Sequence, residues 1–302
     1  MQTLPPVKRY KMSIEVISIG SSSSGNSYII KAGGRVILLD VGLTAKKITG
    51  ALSDAGFSPE DVEAVLVTHE HTDHVKSVRA ISRKCSRAVF YATHGTVLGT
   101  EKFAYVPDER LRIVRAGDTL LLGSLDGDGG AGSKLPVRIG VFALSHDARE
   151  PVGYSVSCGG DKLAVVTDTG VITDEIYDAV RDAGKIVFES NHDEGLLMYG
   201  EYPYHVKVRI KSDHGHLSNK YAGEMLARIL EDRSRASGSP GSAERGEACT
   251  RPLEIMLAHL SFHNNAPYYA RNTIVPILKE NGFERDTDYT LTIAAKDELT
   301  IF

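Results

Sequence analysis

Thr68-His69-Glu70-His71-Thr72-Asp73-His74 places three histidines and an aspartate within six residues, directly after the apolar run Val65-Leu66-Val67. Neutral imidazole nitrogen and carboxylate oxygen are ligands for zinc and similar divalent ions, and an open coordination position makes such an ion catalytic. The apolar run reads as a buried strand that leaves its sheet at Thr68. His69 and His71, two apart in extended chain, then point the same way. Asp73 and His74 fall where the chain turns into a helix, expected over Val75 to Lys84, and so project from another backbone direction. One short loop can therefore serve two adjacent cations, and metal-dependent hydrolysis is the chemistry this spacing predicts. A lone His-x-His pair would carry little weight; four ligands so closely spaced carry more.

The loop supplies half a site, and the fold must bring the rest to it. Apolar runs that finish on a polar residue recur along the chain: Val141 to Leu144 before His146, Leu163 to Val166 before Asp168, and Ile255 to Ala258 before His259. Residues at the strand ends of a layered sheet-and-helix fold converge on one edge of it. Grouping His69, His71, His146 and Asp168, and separately Asp73, His74, His259 and Asp168, gives two cations bridged by one carboxylate. Two ions about 3.5 to 4 Å apart would trap a bridging hydroxide at neutral pH and stabilise the oxygens of an in-line displacement. Asp40 closes the run Arg35 to Leu39, where it either receives an imidazole N–H from a ligand or serves only the turn before Gly42.

Ile14 to Ile19 and Tyr28 to Lys31 read as strands. The intervening Gly20-Ser21-Ser22-Ser23-Ser24-Gly25-Asn26 is either a plain hairpin connection or, through Ser22, Ser24 and Asn26, a cradle for a phosphate oxygen. Thr44 is placed to cap a helix running to Ala55 with Gly56 as its stop, and Thr173 another ending before Gly184. A third helix follows Ser218, and a fourth runs from Ala266 or Pro267 towards Asn281 with a kink at Pro276. His205, Lys207, Arg209 and Lys211 alternate with Val206, Val208 and Ile210, so an extended segment would present a basic face to a polyanion. The first 12 residues read as a flexible leader, residues 13–302 as one domain, and 124–134 and 232–252 as surface loops.

With 302 residues, 42% of them hydrophobic, the chain can bury a substantial core. A formal net charge of −4 gives no global electrostatic footprint for nucleic acid, so a polyanionic substrate must be held by local groups and metals. No apolar stretch reaches the length of a membrane span, and no signal peptide is apparent. Cys85, Cys158 and Cys249 form no CxxC pair, which argues against thiolate metal ligands or a disulfide framework and fits a reducing cytoplasm. Nothing here indicates an oligomeric state.

In combination, the THEHTDH loop, Ser145-His146-Asp147, Thr167-Asp168-Thr169 and Ala258-His259-Leu260 resemble the successive motifs of the metallo-β-lactamase superfamily. The SSSSGNS loop, Glu189-Ser190-Asn191-His192-Asp193, Gly215-His216-Leu217-Ser218-Asn219 and Asn264-Asn265 are similar, more narrowly, to its YycJ/WalJ group. That resemblance implies an α/β fold of αββα sandwich type, two divalent metal ions (zinc or manganese, with iron also accepted), and 5′ to 3′ exonuclease action on DNA. The order glutamate, Gly-His, then strand-ending histidine also resembles ribonuclease Z and the phosphodiesterase PhnP, where the histidine matching His216 donates a proton to the leaving oxygen. It makes His216, oriented by Glu189, the expected proton donor, with Asp73 joining the catalytic group as well as the ligands. A helix-capping role for His216 is the alternative. Asn191, Asp193 and Asn264 are expected to bind substrate or orient ligands, and Lys207 and Arg209 to contact phosphates. A thioester or lactone hydrolase of the glyoxalase II type would use the same ligands without needing the Glu189 and His216 pair. The other histidines, His94, His192, His205, His214 and His263, are expected at the surface or in hydrogen bonds.

Overall fold

The computed structural model describes residues 14–124, 134–237 and 251–302. The expected leader, Cys249 and most of the two segments read as surface loops lie outside them. One sheet contains β1 (Glu15–Ser22), β2 (Gly25–Ala32), β3 (Arg35–Leu39), β4 (Val62–Leu66), β5 (Val89–Thr93) and β6 (Leu111–Val114). The other contains β7 (Thr119–Leu122), β8 (Val137–Ala143), β9 (Val152–Cys158), β10 (Asp161–Val166), β11 (Lys185–Glu189), β12 (Leu253–Ala258) and β13 (Tyr289–Ile293), and the C-terminal β14 (Thr300–Ile301) crosses back to flank β1. The helices are α1 (Ala45–Asp54), α2 (Thr72–Val75), α3 (Val78–Lys84), α4 (His94–Gly99), α5 (Asp174–Val180), α6 (Glu194–Tyr199), α7 (Tyr204–Ile210), α8 (Asn219–Ser237) and α9 (Pro267–Glu280).

The strands carry apolar residues on both faces because both faces are covered, and their alternation assigns each face to a layer. Ile37, Leu39, Ala64 and Leu66 pack between the two sheets with Val141, Tyr154, Val165 and Met256. Val36, Leu38, Val65 and Val67 turn the other way, against Ile48 and Leu52 of α1 and Ile81 of α3. Leu253, Ile255 and Leu257 face α5, α8 and α9 through Ile176, Leu226 and Ile274. Two mixed sheets flanked by helices form the expected αββα sandwich. Truncating Ile37 to alanine inside the middle layer would cost about 2–5 kcal/mol.

The two sheets share a plan. In the first, β1, β2 and β3 are antiparallel neighbours and β3 to β6 run parallel. In the second, β8, β9 and β10 are antiparallel and β10 to β13 run parallel. Ligands of such sheets gather outside the carboxyl ends of parallel strands.

Several local expectations hold and others do not. Thr44 caps α1, and Gly56 beyond its end takes φ +81°. Thr173 caps α5. The helix expected over Val75 to Lys84 begins earlier and is broken: Ser77 donates its N–H to Val41 O and its hydroxyl to Leu43 O, which draws the chain out of helical register. The α9 helix is continuous through Pro276. The serine-rich connection is mostly strand, with only Ser23 and Ser24 in the turn, and α8 extends to Ser237, into the expected loop. The basic segment is not extended. Pro203 precedes α7, which winds Lys207 and Arg209 onto a short helix, so no continuous basic face forms.

Candidate metal centre

At the carboxyl edge of both sheets the strand-end residues meet. Three of the four non-glycine residues with positive φ among the described residues lie here: Asp40 (φ 55°), Asp168 (φ 62°) and His259 (φ 56°), just beyond β3, β10 and β12. Left-handed backbone at such residues costs about 1–3 kcal/mol each and persists only where surrounding structure imposes it. Gly42 is needed for another reason: a Cβ there would lie 1.5 Å from Asp73 O, so only glycine lets the histidine loop approach β2 and β3.

His69, His74, His146 and His259 each have Nδ1 engaged, which turns Nε2 inward. His74 Nδ1 lies 2.7 Å from Asp40 Oδ2. Asp40 also accepts from the N–H and hydroxyl of Thr68, whose Oγ1 lies 3.0 Å from His69 Nδ1. His146 donates Nδ1–H to Gly215 O at 3.1 Å, and His259 Nδ1 lies 2.8 Å from Glu189 Oε1. These partners fix ring tautomers and orientation. They leave His69 Nε2, His259 Nε2 and Asp168 Oδ2 buried without any hydrogen-bond partner. Buried polar atoms are otherwise almost always paired, so convergent orphans of ligand type fit divalent cations.

The potential ligand atoms fall into overlapping groups: His69, His71 and His146; His69, His74 and Asp168; Asp73, His74 and His259; and Asp168, Glu189, His216 and His259, each within 4.8 Å of one another. Asp168 lies between them, with Oδ2 3.4 Å from His74 Nε2 and Oδ1 3.8 Å from His146 Nε2. All seven residues expected as ligands are thus brought together.

Burial holds the His69 and His146 imidazoles below their ordinary range. Burial opposes charge on His74 and His259 too, but Asp40, Asp168 and Asp73 raise the first well above its usual value, and Asp168, Asp73 and Glu189 bring the second up to about 10. Burial would raise the Asp73 carboxyl, yet His74 and His259 hold it well below the carboxylate range.

Glu189, fully buried at the end of β11, binds His216 as well as His259: His216 Nδ1 lies 2.8 Å from the same Oε1, while Oε2 accepts the N–H groups of Thr169 and Leu217. Burial disfavours its charge, but His216 and His259 lower its carboxyl nonetheless. His216 is partly exposed beside the ligands, and a Cβ on the preceding Gly215 would come within 2.1 Å of Ile210 O. Ser218, not His216, accepts a helix-end N–H, that of Tyr221.

Residues expected to meet substrate are largely occupied within the protein. Asn26 is buried, accepting from Ser22 N and donating to Ser22 O and Asp73 Oδ2, so it ties the hairpin to the histidine loop. Ser22 is buried and accepts from Ser24 N. Asn191 donates to His259 O, Asp193 caps α6, and Asn264 supports the backbone around Ser261 and Asp193. Lys207 donates to Met198 O and Gly200 O at the end of α6, and Arg209 pairs with Asp147. Among the remaining histidines His94, His205, His214 and His263 are exposed, but His192 is buried, which holds its imidazole down to about 4.

Two contributors escaped sequence reasoning. Ser21 accepts from the His259 N–H and from Tyr28 Oη, anchoring one sheet to the other; nothing in a run of four serines distinguishes it. Asp147 brings Oδ1 to 3.3 Å from His146 Nε2 and 3.9 Å from His71 Nε2, and its place directly after a strand-end histidine was the available signal. Cys85 and Cys158 are buried free thiols.

The metallo-beta-lactamase superfamily profile matches residues 22–213. The exodeoxyribonuclease YycJ of Bacillus anthracis is 32% identical over 273 residues, covering 90% of this chain and 92% of its own. The exodeoxyribonuclease WalJ of Streptococcus pneumoniae is 32% identical over 285 residues, covering 93% and 94%. Among solved structures, the metallo-beta-lactamase fold protein YhfI of Bacillus subtilis superposes with a TM-score of 0.63 at 14% identity, covering 96% of this chain and 100% of its own, a likeness of fold. By profile, by relatives across nearly its whole length and by its αββα architecture, this chain belongs to the metallo-β-lactamase superfamily of hydrolases.

Proposed function

We propose that this protein is a phosphodiesterase acting on nucleic acid, specifically a DNA exonuclease cutting 5′ to 3′, with two divalent ions held by His69, His71 and His146 on one side, Asp73, His74 and His259 on the other, and Asp168 between. Zinc and manganese both suit this His and Asp set, and iron is accepted by the same donors. When bound, the ions acidify a water to give the nucleophile and neutralise nonbridging phosphate oxygens.

The observation that carries the reading is the Glu189 and His216 pair. A phosphodiester leaves behind an alkoxide that needs a proton, and His216 is partly exposed beside the ligands with Nδ1 bonded to Glu189. Nδ1–H donates to the carboxylate, so Nε2 is the nitrogen that carries a proton to the leaving oxygen. Glu189 accepts that N–H and holds the ring. A thioester, whose thiolate leaves without help, needs no such pair. The names of the two bacterial relatives point to DNA as the polymer.

The test combines metal analysis with end-labelled single- and double-stranded DNA, RNA and an S-acyl thioester, for wild type and Asp168→Ala. The expected result is shortening of DNA from its 5′ end, lost in Asp168→Ala. Thioester hydrolysis with inert DNA would replace this reading with a carbonyl hydrolase, and DNA cleavage surviving Asp168→Ala would remove the shared carboxylate.

A further inference from the structure

Three residues beyond His259 the chain holds an aromatic side chain in solvent. Phe262 is 63% exposed, although Ser261 before it and Asn264 and Asn265 after His263 are buried. Those neighbours are pinned. Ser261 N donates to Asn191 O at 2.8 Å, Asn264 N to Ser261 Oγ at 3.3 Å, and the Asn265 amide to Ser190 O and Asn191 O at 2.8 and 3.1 Å. The segment therefore cannot fold Phe262 inward, and its apolar ring stays out at a cost in hydrophobic free energy.

The ring has company. His263 lies against it edge-to-face with centroids 5.0 Å apart and itself meets Tyr202 at 5.6 Å, while Lys296 Nζ sits over one face of the Phe262 ring, 3.8 Å from its centroid. The loop carrying Lys296 is bound to the site, since Ala295 O accepts from Ser21 N and Ser21 Oγ accepts from His259 N. Three residues span at most about 11 Å, the rise of roughly three stacked nucleotides. We infer that Phe262, flanked by His263 and with Lys296 over one face, presents its exposed ring as a stacking platform for an unpaired base of the strand whose phosphate lies at the metal centre.

The occupant follows from the chemistry. An exposed aromatic ring with a cation against it suits a π-faced base on an anionic backbone, and stacking of this kind tolerates any sequence. A duplex hides its base faces except at an end, so the platform selects single strands or frayed termini. The inference rests on the nucleic-acid reading above and names which form of the polymer is gripped.

The experiment compares wild type, Phe262→Ala and Phe262→Trp on a single-stranded oligonucleotide and on the same strand made abasic at the nucleotides flanking the cleavage point. Phe262→Ala raises KM on the intact strand by about 5- to 150-fold while metal content stays at the wild-type level. Phe262→Trp restores it, and the penalty is at least several-fold smaller on the abasic strand. An equal penalty on both strands, or none on the intact one, overturns the platform. Should wild type cleave neither strand, the nuclease reading itself falls. Fluorescence anisotropy with the labelled oligonucleotide then judges the platform alone: equal binding by wild type and Phe262→Ala rejects it.

Discussion

Asp40 and Asp168 occupy corresponding places in the two sheets, each just past the third strand of an antiparallel trio where the parallel run begins, and both take left-handed backbone. Their carboxylates have opposite fates. Asp40 is saturated by the N–H and hydroxyl of Thr68 and by His74 Nδ1, whereas Asp168 keeps Oδ2 buried and unpartnered amid histidine nitrogens. Equivalent topology thus sets position, and hydrogen-bond satisfaction separates the two: the paired carboxylate is placed to orient histidines, and the unpaired one is left open to a cation. The contrast extends to the halves that carry them. The first sheet delivers His69, His71, Asp73 and His74 through one contiguous loop, while the second contributes His146, Asp168, Glu189 and His259 one strand end at a time.

The contrast breaks most severely at Asp168. Asp168→Ala is expected to lower metal content to at most one equivalent per chain by elemental analysis, with phosphodiesterase activity down about a thousandfold or more, as loss of several kcal/mol of charge stabilisation requires. Two retained equivalents would mean that its orphaned oxygen faces something other than a cation. If His216 donates the proton as proposed, His216→Ala should cost about 10²- to 10⁴-fold in kcat with both equivalents kept. Metal loss in that variant would transfer His216 to the ligand set. Asp40→Asn sharpens the comparison directly. Calorimetric titration should show metal affinity weakened by about 10- to 100-fold, with the ions still bound at saturation, as for other residues that orient ligating histidines. An effect as deep as that of Asp168→Ala would erase the distinction between the two aspartates.

The smallest effect belongs to a residue that charge patterning alone would rank higher. Lys207→Met removes the ammonium that binds the carbonyls ending α6, and urea unfolding should show about 1 kcal/mol lost. The salt dependence of nucleic-acid binding should stay unchanged; a flatter slope would return Lys207 to the phosphate contacts.

What could be read without the structure followed from local physics. Spacing within the histidine loop implies convergent ligands, since two-residue offsets in extended chain share a side, and apolar runs ending in His146, Asp168 and His259 mark strand ends of a layered fold. Helix starts at Thr44 and Thr173 were legible from capping chemistry alone. The period-two pattern over His205 to Lys211 misled because a short, half-exposed segment takes its conformation from its neighbours, here Pro203 and the end of α6. Side-chain roles across long separations were equally out of reach. That Asn26 braces Asp73, that Ser21 holds His259, and that one oxygen of Glu189 serves both His216 and His259 depend on contacts spanning 47, 238, 27 and 70 residues.

The amino-acid sequence by itself determined the donors, their chemistry and the strands that end on them, because ligand type and hydrophobic alternation are properties of neighbouring residues. Only the tertiary structure decided which donors stay unpaired. Whether a buried carboxylate is saturated like Asp40 or left open like Asp168 depends on how two sheets meet, and no local pattern records that.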